Sequence, residues 1–224
     1  MSKKNDIKII KKNVKNITLR VKPDGEVILT APASMTKEKI NKFVSKKEKW
    51  IEKAVENFGK IYAPNISKDY VSGESFYYLG KKYRLKVIKN RKEYVKLKNG
   101  WFELYIKDTE NRRKKEIILD EWYREKAKYK FMILSERYMK LLGEEECVFK
   151  IRKMKKRWGS CNFEKRIVLV NLELIKKQVY CIEYIILHEL LHLKIPNHSK
   201  EFWRLLTLYM PDWKYRKEKL EEIR

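Results

Sequence analysis

Residues 182–193 read IEYIILHELLHL, an apolar run interrupted by Glu183, His188, Glu189 and His192. The run reads as helix, and residues four apart on a helix share one face, so His188 and His192 direct their imidazoles to a common point. Glu189 directly follows the first of them and places a carboxylate beside that point. Two neutral imidazoles suit a divalent transition metal, and the carboxylate beside them suits proton removal from a water in an open coordination position.

The chain has only three histidines, and all fall between residues 188 and 198. The third, His198, comes after Pro196 and Asn197. Proline cannot continue the helix and pushes the residue before it toward an extended conformation. The chain is therefore expected to turn after His192 and return His198 to the first two. Asn197 or Ser199 can then cap a following helix, with Glu201 in its first turn. The spacing HExxHxxxxxH supplies three nitrogen ligands and leaves one position open, which is the pattern of a catalytic zinc site and not of a structural one. One Zn2+ per chain is expected, with Glu189 as general base. Incidental or core histidines, and a metal site without hydrolysis, are the competing readings; the position of Glu189 argues against the second.

Outward from this helix, short strands are expected at 147–154, 157–161 and 166–170. A long helix is expected from about 110 to 142, on which Ile118, Trp122, Tyr129, Met132, Ile133 and Leu141 recur at helical spacing and which Gly143 ends. Residues 75–106 alternate as strands, with turns at Gly80 and at Asn99-Gly100. Residues 17–21 and 27–30 flank Pro23-Asp24-Gly25 as a β-hairpin, and residues 36–58 carry the helical stripe Ile40, Phe43, Val44, Trp50, Ile51 and Val55. Further helices are expected over 199–209 and from Trp213 onward. A division near residue 109 separates a β-rich N-terminal module with one helix (1–108) from an α+β catalytic domain (109–224).

Hydrophobic residues make up 43% of the chain, enough for a folded core. Lys and Arg total 55 against 30 Asp and Glu, a formal net charge of +25. Such an excess suits nucleic acid, acidic proteins or anionic surfaces, although lysine spread over the whole chain also reads as a general feature of its exposed faces. Cys147, Cys161 and Cys181 form no CxxC pair and suggest no disulfide framework. The charged opening residues lack the apolar core of a signal peptide, and no apolar run is long enough to span a bilayer. A cytoplasmic protein without membrane partners is expected.

The segments RWGSC at 157–161, IVLVN at 167–171, IEYIILHELLHL at 182–193 and PNHSKEFW at 196–203, continued by Pro211 and Trp213, resemble the YgjP-like metallopeptidases, a branch of the zincins. The hairpin of 17–30 and the helix carrying Lys46-Lys47 and Trp50-Ile51 resemble the opening of that family, so the likeness runs over nearly the whole chain. It implies zinc ligation by His188, His192 and His198, Glu189 as general base, and cleavage of a protein or peptide substrate. The fold it implies is a zincin-like unit made of a backing helix, a short mixed sheet and the HExxH helix. SprT-like proteases, which cut proteins on DNA, share the ligand spacing. Metzincins share it too, but usually have glycine where Ile195 stands, and there is no clear Met-turn.

Arg157, Trp158 and Gly159 are candidate substrate contacts. A strand bordering a zincin cleft can pair with extended substrate, Gly159 would permit close backbone approach, and Arg157 could bind a substrate carboxylate or a developing oxyanion. Trp158 and Cys161 could instead pack against the active-site helix and fix its position. Cys161 as a fourth ligand in a latent enzyme is a further reading, one in which the thiolate would block the water position. Residues 150–157, KIRKMKKR, place six basic side chains in eight. They could hold nucleic acid phosphates or an acidic substrate, or form a solvated face with Ile151 and Met154 turned inward. Trp50, Trp101, Trp122, Trp158, Trp203 and Trp213 are scattered along the sequence, which suggests core positions and no stacking platform.

Overall fold

Alternating apolar residues build the first three strands, β1 (Ile7–Lys12), β2 (Thr18–Val21) and β3 (Val27–Pro32), into a sheet with β3 at its centre. This computed structural model describes residues 7–21, 26–61, 68–144 and 146–222. The contacts divide the chain into two units, Met1–Ser67 and Lys68–Arg224. In the first unit β2 and β3 run antiparallel with Val21 opposite Val27, as the arms of a hairpin require. The turn at Pro23-Asp24-Gly25 lies outside the described residues. Strand β1 goes beyond the sequence expectation. It pairs in parallel with the other side of β3, so no tight turn announces it. Val27, Leu29 and Ala31 alternate onto one face and pack with Ile40 and Ile51 of helix α1 (Lys37–Ile61). Trp50 is half exposed and does not belong to the buried stripe, because Ile51 already takes that face; Val55 lies beyond the side chains that are described.

The second unit opens with β4 (Ser75–Tyr78), β5 (Lys81–Lys89), β6 (Tyr94–Lys98) and β7 (Trp101–Ile106), in the order β4-β5-β7-β6. Both expected turns are two-residue connections with positive φ throughout: Leu79 and Gly80 at 48° and 80°, Asn99 and Gly100 at 49° and 80°. That geometry matches the twist of antiparallel strands, and it explains the glycine in each pair.

Helix α2 (Arg112–Leu142) starts at Asn111, whose side chain accepts from the Lys114 amide, and stops at Gly143 in the left-handed conformation. Its buried face comprises Ile118, Leu119, Trp122, Tyr123, Ala127, Phe131, Leu134, Tyr138 and Leu142. Tyr129, Met132, Ile133 and Leu141, expected on the inner stripe, are exposed. Two apolar registers compete along this helix, and the one carrying the aromatic side chains buries more area.

After α2 come β8 (Val148–Arg152), β9 (Gly159–Asn162) and β10 (Ile167–Asn171), in the order β8-β10-β9 with β8 parallel and β9 antiparallel to β10. A 3-10 turn (Leu172–Lys176) leads into α3 (Val179–Leu191), followed by α4 (Lys200–Tyr209) and α5 (Trp213–Glu222). One hydrophobic core runs from Phe76 through Phe102, Trp122, Phe131, Val168 and Ile186 to Leu220. The expected division at residue 109 therefore passes through a shared core, since Phe102, Leu104 and Ile106 of β7 pack with α2. The result is an α+β unit in which α2, the mixed sheet β8-β10-β9 and α3 supply the backing helix, short sheet and HExxH helix. Among the described residues no helix is long and apolar enough to cross a membrane.

Candidate metal centre

Helix α3 is held on nearly all sides. Cys181, Ile182, Tyr184, Ile185, Ile186, Leu187, Leu190 and Leu191 are all buried, so the helix cannot rotate without exposing apolar surface. This fixes the face on which His188 and His192 stand, their ring centroids 5.0 Å apart. The helix closes at His192, and the amides of Leu193, Lys194 and Ile195 fold back onto the Leu190 and Leu191 carbonyls. The chain then reverses at Pro196 and Asn197. Ser199 caps α4 by accepting from the Phe202 amide at 3.4 Å, with Glu201 in the first turn.

This reversal brings His198 Nε2 to 2.9 Å from His188 Nε2. One nitrogen from each of His188, His192 and His198 lies within 4.8 Å of the others, and among the described residues no other cluster of histidine, cysteine or carboxylate side chains does this. Phe202, fully buried, forms the floor, with its ring 4.7–4.9 Å from all three imidazoles.

The donors fit a tetrahedral zinc. Nitrogens bound to such an ion at about 2.0–2.1 Å stand roughly 3.3 Å apart, near the separation of the two Nε2 atoms. His192 Nδ1 lies 3.0 Å from the Ile195 carbonyl, so it donates there and leaves Nε2 with its lone pair for a metal. Burial, with help from the other two imidazoles, pushes the pKa of His188 down to about 3, so it is neutral near pH 7. His198 is lowered in the same way, first by burial and then by the charges of His192 and Lys217. Neutral imidazoles are the ligating form.

Glu189 is buried beside this cluster, and burial raises its pKa to about 7 against the opposing charge of Arg157. A carboxyl in that range exchanges a proton readily near neutral pH. Its side chain lies against Gly159: a Cβ at residue 159 would stand 2.5 Å from Glu189 Cγ and 2.6 Å from Oε1. The missing side chain of Gly159 leaves room for the Glu189 side chain.

The approach to β9 is organised by Asn171. Its buried amide donates to the carbonyls of Met154 at 2.7 Å and Arg157 at 2.8 Å, while its Oδ1 accepts from the amides of Met154 and Glu173. Its own backbone amide donates to the Trp158 carbonyl at 2.8 Å. Nothing in the sequence beyond a lone asparagine at a strand end signals this role. Arg157 is exposed, and Trp158 is half-buried with Lys177 over its ring at 5.4 Å. Cys161 pairs with Val168 in the sheet, and its sulfur is not part of the histidine cluster. Burial raises its pKa to about 11, which keeps it a thiol.

The spacing of the tryptophans suggests scattered core residues. Trp203 and Trp213 do pack against the core, and they also stack on each other, with centroids 4.7 Å apart, while Trp203 stacks on His198 at 5.4 Å.

A model of the family described as YgjP-like, metallopeptidase domain, matches residues 15–223. The chain belongs to the YgjP-like metallopeptidase family. It is thus a metal-dependent protease by family, acting on protein substrates, and the histidine cluster is where its chain could hold the metal. The family match reaches into both units and takes in β2 and β3 of the N-terminal sheet. Among solved structures, the chain is similar to the metallopeptidase zymogen of Pyrococcus abyssi abylysin, at 24% identity and a TM-score of 0.38 over 40% of this chain and 90% of that one. It is also similar to the metallopeptidase zymogen of Methanocaldococcus jannaschii jannalysin, at 25% identity and a TM-score of 0.37 over 40% of this chain and 86% of that one. Comparison with curated protein sequences found no significant match.

Proposed function

We propose that this YgjP-like protein cleaves peptide bonds with one zinc ion per chain, held by His188, His192 and His198, and that Glu189 is its general base. The observation that carries the reading is the convergence of every histidine in the chain on one point beside a buried carboxylate. Zinc bound there would supply Lewis acidity, polarising a scissile carbonyl and lowering the pKa of an attacking water. Glu189 takes the proton of that water on its carboxylate and passes it to the nitrogen of the leaving amine. Phe202 beneath the imidazoles and the buried apolar side chains of α3 shield the inner side of His188 and His192 from bulk water, while His198 faces solvent.

Strand β9 lies at the edge of its sheet, so one side of its backbone is open to an extended peptide, a mode of binding that tolerates varied side chains. Arg157 binds a substrate carboxylate or a developing oxyanion in this reading, which its exposure at the entry to the strand and its influence on Glu189 support. The reading is tested by elemental analysis alongside hydrolysis of an unfolded protein substrate. Wild type should carry about one zinc and lose activity to a chelator, and His188→Ala should lack both zinc and activity. Activity that survives complete removal of the metal sinks it.

A second role is favoured by Lys150, Arg152, Lys153, Lys155, Lys156 and Arg157, all exposed on β8 and the loop leading to β9. This strip, on a chain of net charge +25, is suited to nucleic acid phosphates and would recruit the protease to nucleoprotein or replace its activity by binding. Binding to DNA or RNA that weakens steeply with salt supports it; no binding at moderate ionic strength removes it.

A further inference from the structure

The three imidazoles are held in different ways. His188 is packed within the face of α3, and His192 is tied through Nδ1 to the Ile195 carbonyl. His198 is exposed in the turn between two helices, and among the described residues no hydrogen bond reaches its Nδ1. A ligating imidazole ordinarily has its second nitrogen fixed by a partner, which sets the plane of the ring. Here the plane is set by aromatic rings.

Trp203 stacks on His198 at 5.4 Å with an interplanar angle of 21°. Trp213, the first residue of α5, stacks on the far side of Trp203 at 4.7 Å and 24°. Trp213 in turn lies parallel to Tyr184 of α3 at 6.5 Å and 13°, and Tyr184 meets His188 edge-on at 5.7 Å. The 2.9 Å approach of the two Nε2 atoms closes this circuit. The stack is also pinned by polar contacts. The Trp213 indole N–H donates to Thr207 Oγ1 at 2.9 Å, and the Thr207 hydroxyl donates to the Trp203 carbonyl at 2.8 Å. Arg216 joins α5 to α3 through Glu183 at 2.7 Å and through the Tyr180 carbonyl at 3.3 Å.

We propose that Trp203 and Trp213 are positioning residues of the metal centre: stacked between His198 and Tyr184, they hold the third imidazole in register with His188 and so set the affinity for the metal. The proposal rests on His198 being a ligand. It makes α5, which contributes no ligand, part of the metal site, because the ring orientation of His198 is referred back to α3 through this stack. Both tryptophans are half-buried, so neither can turn away without exposing a large apolar ring. Partners that orient a ligand in this way change metal affinity by roughly 10–100-fold when removed.

The test is zinc affinity by chelator competition on the full chain, for wild type, Trp203→Ala, Trp203→Phe, Trp213→Ala, His198→Ala and the Trp203→Ala/His198→Ala double variant. Trp203→Ala and Trp213→Ala should each weaken zinc binding by roughly 10–100-fold, and Trp203→Phe, which keeps a flat ring, should recover most of the loss. In the His198→Ala background, Trp203→Ala should add nothing, because the imidazole it positions is gone. Wild-type affinity in Trp203→Ala overturns the proposal, as does an equal loss in the His198→Ala background, which would mean that the tryptophan acts on the fold and not on the ligand. If Trp203→Ala does not fold, Trp203→Leu replaces it with the same expected loss and the same overturning result. Wild type that binds no zinc overturns the ligand reading itself, and with it this inference.

Discussion

Gly159 and Glu189 occupy one another's space: a methyl group on Gly159 would lie 2.6 Å from Oε1 of Glu189 and 2.8 Å from its carboxyl carbon. The paired strand is the stiffer of the two, so the carboxylate is the group that must give way. Gly159 is paired with Val170 in the sheet, and Glu189 is buried on a helix enclosed by the core.

Gly159→Ala should therefore displace the carboxylate while leaving the histidines in place. Activity should fall by about 100-fold, the usual cost of an ångström-scale misplacement of a catalytic group. Zinc content should match wild type. Steady-state kinetics with elemental analysis checks this, and a Gly159→Ala variant with wild-type kcat would mean that the carboxylate position is not critical.

Asn171 makes four side-chain hydrogen bonds, to the backbone of Met154, Arg157 and Glu173. Asn171→Ala strands these buried groups and should lower stability by about 2–4 kcal/mol. Urea denaturation should register this as a lower midpoint at unchanged slope. A loss of under ~1 kcal/mol would mean that the loop holds its shape without the asparagine.

Much of the site can be read in the sequence because its geometry is local. His188 and His192 are related by one helical turn, and Pro196 forces the reversal that returns His198. The turns at Gly80 and Asn99-Gly100 are similarly local, set by backbone angles that few residues tolerate. What the sequence does not disclose depends on contacts between distant segments. Gly159 reads as a glycine near the cleft, but its partner Glu189 lies far along the chain, in a different element. Trp203 and Trp213 stand on successive helices, and only the turn at Met210 and Pro211 stacks their rings. Strand β1 pairs in parallel across β3, and α2 has two apolar faces whose choice is made by the sheet it meets.

Two thiols, Cys181 buried and Cys161 partly buried, make stability fall in alkali. Burial raises Cys161 and Cys181 to about 11 from an ordinary value of 9.0, and the Cys181 thiol donates to the Arg216 carbonyl. The folded state thus keeps protons that the unfolded chain releases, so this contribution to stability is present below pH 9 and is lost as pH rises toward 11. Urea unfolding across roughly pH 8 to 10.5 should show declining stability, with a flatter profile in the Cys161→Ala/Cys181→Ala variant. Identical profiles would contradict this assignment.

Glu189→Gln keeps the shape of the side chain and removes its ability to accept a proton. Zinc content and peptide hydrolysis should be measured side by side on wild type and variant. Both proteins should carry about one zinc per chain, with hydrolysis lost by roughly 10²–10⁴-fold in the variant. A Glu189→Gln protein that cleaves at the wild-type rate would contradict the role of Glu189 as general base.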